Sequence, residues 1–134
     1  MDVSSRDIRG CRYSARYQKF YNRANILYFD GRLPPATIYT APLLRITAHG
    51  QKEVETNESL WLDAGEYGIV GQDDNGGWIV IVDRSTGIYH SILTKQTILH
   101  ECIHLDIHPY RGHGIKFKKE IRRIAALGAF DTLI

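Results

Sequence analysis

Residues 99–114 read LHECIHLDIHPYRGHG, which places four histidines and one glutamate within sixteen positions. His100, Glu101 and His104 spell H-E-x-x-H. On a helix, side chains four apart lie one above the other, so two imidazoles can reach one ion from a single rigid rod. Glu101, adjacent to His100, is the residue type that takes a proton from a water held by such an ion.

Two ligands do not complete a catalytic zinc site, which takes three from the protein and leaves one position open. His108 continues the four-residue series, but a straight helix rises about 12 Å between positions 100 and 108, too far for both to hold one ion. His113 is better placed. Pro109 stops the helix and the sequence YRGHG lets the chain turn back, with Gly112 and Gly114 giving the backbone freedom for a close approach. The expected ligands are therefore His100, His104 and His113, with Glu120 on the last helix as runner-up.

The surrounding chain reads as one domain. Its 134 residues suffice for a single core, and 43% hydrophobic with 24% charged content is that of a globular protein. The formal net charge of +2 implies neither a nucleic-acid nor a membrane partner by itself. Cys11 and Cys102 form no C-x-x-C pair, so neither a disulfide framework nor an all-cysteine metal site is expected. The opening MDVSSRDIRGCRYSARY lacks the apolar run of a secretory signal and no window has the apolar length of a membrane span, so a cytoplasmic location is expected.

Outward from the motif, the periodicities predict the remaining elements. Tyr13, Tyr17, Phe20, Ala24 and Leu27 are spaced as one face of a first helix that ends near Asp30 and Gly31, before Pro34 and Pro35. ATIYT (36–40) is rich in β-branched and aromatic residues and reads as a strand closed by Pro42. Residues 43–70 mix short apolar and polar runs and read as several short strands. YGIVGQ (67–72) and GWIVIVD (77–83) flank DDNGG as a hairpin. Thr94 is the expected N-cap of the motif helix, Lys95–Ile107. A last helix, IKFKKEIRRIAAL (115–127), spaces Phe117, Ile121, Ile124 and Leu127 for burial and is capped by Gly128. The order implies the α+β class: an N-terminal helix, a small antiparallel sheet, the H-E-x-x-H helix and a C-terminal helix.

Other candidates read as structural. His49 and His90 are isolated. Cys102 turns toward the core. The basic run of Arg111, Lys116, Lys118, Lys119, Arg122 and Arg123, opposed only by Glu120, reads as a solvated helix face.

These pieces together resemble the SprT-like zinc metallopeptidases, the family of Spartan. YNRANILYFDGRLPPATIY (21–39) resembles the family's aromatic-rich opening helix, its turn and the strand after it. TILHECIHLDI (97–107) resembles the active-site helix, and GHGIKFKKEIRRI (112–124) the His-Gly-x-x-Phe segment that delivers a third histidine. The match runs from about Tyr13 to Leu127. The resemblance implies a zincin-like fold, Zn2+ on His100, His104 and His113, and Glu101 as catalytic base. Many members add a zinc ribbon of paired cysteines; with no C-x-x-C pair, the expectation is a minimal catalytic domain. Residues 43–72 match no part of the family pattern, so no substrate preference carries over.

The expected activity is peptide-bond hydrolysis, with a protein or peptide substrate. DNA enters as a candidate partner without a dedicated binding element, and no membrane partner is expected. By position alone, Tyr110, Arg111, His108 and His90 are candidates for a second oxyanion donor. The first rival is a noncatalytic zinc-stabilised module that binds nucleic acid or protein through its basic last helix. The second, ranked last, is a hydrolase of the peptide deformylase kind with an upstream cysteine ligand, for which Cys11 lies too far back in the first helix.

Overall fold

A computed structural model describes residues 11–41, 63–64, 67–73, 75–83, 90–110, 112–131 and 133. The elements are β1 (Arg12–Tyr13), α1 (Ala15–Phe29), β2 (Ala36–Ala41), β3 (Asp63–Ala64), β4 (Gly68–Gln72), β5 (Trp78–Asp83), α2 (His90–Ile107) and α3 (Ile115–Ala126). The class is α+β, with three helices and a mixed sheet of order β1-β2-β5-β4-β3 among the described residues.

The sheet is not antiparallel throughout. β4 and β5 form the expected antiparallel hairpin, but β2 runs parallel to β5, with Ala36 opposite Trp78 and Ala41 opposite Asp83. A short turn forces β4 and β5 antiparallel. By contrast, β2 and β5 are separated by residues 42–77, long enough for the crossover that parallel neighbours need, and both faces of the sheet are buried. Ile38, Val70, Val80 and Val82 face the helices, while Tyr39, Ala41, Ile69, Ile79 and Ile81 form a second buried cluster on the other side. WIVIVD, apolar through Val82, reads as such a doubly buried strand, while β2 buries Thr37 and Thr40 among its apolar residues.

α1 starts later than the periodicity predicts. Tyr13 lies in β1, and Ser14 caps the helix by accepting from the Tyr17 N–H at 3.2 Å. Its buried face is Tyr17, Tyr21 and Ala24, joined at its end by Phe29; Phe20 is half-buried and Leu27 is 50% exposed. Gln18 fastens the helix to β2, donating to the Ala36 carbonyl at 2.8 Å and accepting from the Ile38 N–H at 3.0 Å. The helix stops as expected, with Asp30 and Gly31 both at positive φ. Asn25 then closes the turn by accepting from the Leu33 N–H at 2.9 Å.

α2 begins at His90, before the expected start, so Thr94 is a buried helical residue and not a cap. Apolar Ile92 and Leu93 extend the helix backward, and Ile92 packs on the core. α3 buries Phe117 and Ile124, but Leu127 is 55% exposed, because the helix ends at Ala126 and the chain departs through Gly128 at positive φ. Beyond the helix, Leu133 joins the core cluster. α1 and α2 pack on one face of the sheet and α3 packs against α2, with Ile98, Leu99, Cys102 and Ile103 of α2 in the shared cluster. Among the described residues no helix is long and apolar enough to cross a membrane. Of the strands expected over residues 43–70, β3 and the start of β4 are described; residues 42–62 lie outside the described residues.

Candidate metal centre

The histidines that the helix and the returning loop were expected to bring together do meet. The Nε2 atoms of His100 and His104 are 3.1 Å apart, those of His104 and His113 3.2 Å, and those of His113 and His100 3.0 Å. Three nitrogens of a tetrahedral zinc site stand about 3.3 Å apart, so this triangle fits such an ion to within about 0.3 Å. Hydrogen bonding alone does not satisfy the trio. A neutral imidazole nitrogen either donates or accepts, and around a ring of three at least one contact then pairs like with like. One cation that takes all three lone pairs removes the conflict.

The place of each histidine has a local cause. The helical repeat of α2 stacks His100 and His104. Gly112, at φ +81°, turns the chain back so that His113 reaches them. A Cβ on Gly112 or on Gly114 would meet nothing within 4 Å, so backbone torsion at Gly112, and not close approach, is what the turn requires. Phe117, one turn into α3 and nearly buried, stands against all three imidazoles, with ring centroids 4.9 Å from His100, 5.0 Å from His104 and 4.6 Å from His113. Its helical spacing reads as core, and that spacing carries no sign of its place as the shared wall of the site.

Burial is graded across the site. His104 and Glu101 are each 1% exposed, His100 is half-buried and His113 is exposed. The cluster is thus closed on the sheet side and open beside His113. Glu101 lies where α2 crosses β4, close to the bare Cα of Gly68.

The other candidates are not drawn in. Glu120 is held by Arg123 in a two-pronged pair at 2.9 and 3.0 Å, with Arg32 at 3.6 Å, and is not part of the histidine cluster. His108 is exposed and lies edge-on to Trp78, with ring centroids 5.1 Å apart. Tyr110 is exposed, with the Lys116 ammonium 4.3 Å from its ring centroid. Cys102 is fully buried in the core, and burial pushes its thiol far above the ordinary range. Cys11 precedes β1 and does not sit in a helix; it packs beneath the sheet on Tyr39 and its neighbours, away from the described histidine trio. His49, Arg111 and the side chain of His90 lie outside the described residues. Lys116, Lys118, Lys119 and Arg122 are exposed, as a solvated helix face requires.

No family model, no curated protein and no solved structure matches this chain. His100, His104 and His113 stand close enough to bind one metal ion, and this geometry is the observation on which a functional reading rests.

Proposed function

We propose that this chain is a zinc-dependent metallopeptidase of the SprT-like kind, with a zincin-like fold, and that it hydrolyses peptide bonds in a protein or peptide substrate. The single observation that carries the reading is the Nε2 triangle, with Glu101 of the same H-E-x-x-H helix buried beside the ligands in sequence. Neutral imidazoles choose zinc over calcium or magnesium, which prefer oxygen ligands.

His100, His104 and His113 would hold the zinc ion, which would supply Lewis acidity and lower the pKa of a bound water toward about 7. The chain's own residues do the rest. Glu101 takes the proton of the attacking water and passes it to the departing amine. Phe117 fixes the three imidazoles and excludes water from their inner side. Entry is from the open side at His113. A substrate strand adds beside β4, whose outer edge pairs with β3 only at Ile69 and Val70 among the described residues.

The test is Glu101→Gln. Zinc should remain stoichiometric while cleavage of an unfolded protein substrate is lost. The rival, a zinc-stabilised binding module, draws on the exposed lysines of α3. It gains if the wild type, fully loaded with zinc, cleaves nothing and binds duplex DNA with a steep salt dependence.

A further inference from the structure

Gly68 leaves β4 bare at the point where α2 crosses it. A Cβ built on its backbone would lie 2.8 Å from Thr97 Cγ2, 3.3 Å from Glu101 Oε1 and 3.5 Å from the Ile81 carbonyl oxygen. Carbon atoms in good contact sit about 3.5–4.0 Å apart, so the first of these is a clash. Thr97 has no easy way to yield. Its side chain is branched at Cβ, its hydroxyl donates to the Leu93 carbonyl at 2.9 Å, and it is buried in the helix interior. Thr97 and Glu101 are four residues apart, so both present the same helical face to the strand.

We propose that Gly68 is a positioning residue for Glu101. The missing side chain lets α2 rest on β4 at the depth that seats the glutamate carboxylate, and any larger residue displaces it. The consequence for turnover rests on the reading of Glu101 as the proton acceptor; the seating itself is a matter of packing and can be read without turnover.

The competing explanation is that the glycine serves only to admit Thr97. Thr97→Ser separates the two, because serine keeps the hydroxyl and drops the methyl group, leaving Glu101 as the close contact. Thermal unfolding midpoints of the metal-free proteins, zinc content, and kcat and KM on casein are measured for the series. Gly68→Ala alone should lower the midpoint by about 5 °C. In the Thr97→Ser background a residual loss of about 2 °C should stay, and adding Glu101→Ala should abolish it. The Gly68→Ala/Thr97→Ser protein should hold full zinc with KM unchanged and kcat at least about tenfold down, as a displaced reacting group requires.

Three results would overturn the proposal: no midpoint loss on Gly68→Ala, no residual loss beside Thr97→Ser, or a residual loss that persists once Glu101 is truncated. Full wild-type kcat in the double variant would also overturn it. A zinc-loaded wild type that cleaves nothing sinks the peptidase reading instead, and the midpoints still decide whether Gly68 seats Glu101.

Discussion

Arg32 holds Asp106 with two nitrogens, Nε to Oδ1 at 2.7 Å and Nη2 to Oδ2 at 2.9 Å. The pair ties the turn after α1 to the last turn of α2, two residues beyond His104. Arg32 also stands 3.6 Å from Glu120 of α3, which is itself clamped by Arg123. His113 lies on the connection between α2 and α3, so this network fastens the two helices on either side of it. Arg32→Met should cost about 1–2 kcal/mol, a charged hydrogen bond discounted because Arg32 is partly solvated. It should also weaken zinc binding in a competition titration with a chromophoric chelator, whereas an unchanged zinc affinity would confine the network to stability.

The same pair sets a pH dependence. Burial resists ionisation of Asp106, but hydrogen bonds with Arg32 and Glu120 and the charges of Arg32 and Arg123 outweigh it and hold the carboxyl below its usual range. A carboxyl with a depressed folded-state pKa contributes stability that is fully present above its unfolded value, about 3.9, and lost as pH falls through the folded value. In urea unfolding of the metal-free proteins, the gap between wild type and Arg32→Met should stay constant from about pH 7 to 5 and narrow below about 4. A gap that persists to pH 3 would assign the stabilisation to something other than this carboxylate.

Phe117 touches every ring of the trio, so its shape and the ligand geometry are linked. Phe117→Leu should keep the fold, since the site stays apolar, yet lower zinc affinity by about 10- to 100-fold, the range seen when groups that orient ligands are changed. Equal affinity in the two proteins would show that the helix and the Gly112 turn suffice.

His113 and Glu120 offer the sharpest comparison. His113→Ala should abolish stoichiometric zinc, measured by metal analysis after dialysis, while Glu120→Gln should retain it. The opposite pattern would make Glu120 the third ligand and break the triangle reading.

Much of the site was legible because its causes are local. The four-residue repeat that stacks His100 on His104 and the breaker Pro109 act within one or two turns. Gly112 acts the same way. The hairpin was legible for the same reason, with Gly76 at positive φ and Asp73 accepting from the Asn75 and Gly77 N–H groups. What sequence periodicity missed depends on packing from afar. Tyr13 fits a helical spacing, but its pairing with Tyr39 makes it a strand residue. Leu27 fits the same face, yet Phe29 and Tyr21 take the core and leave it outside. The parallel pairing of β2 with β5 had no local sign, because it joins strands with residues 42–77 of the chain between them. Gly68 gave no sign at all, because the group that requires it lies on α2.

The junction of β2 with β5 has a consequence for synthesis on the ribosome. Ala36 waits for Trp78, so the central ladder cannot form until the chain has emerged past Asp83, and a nascent segment ending sooner would carry its first helix and strand without their permanent neighbour.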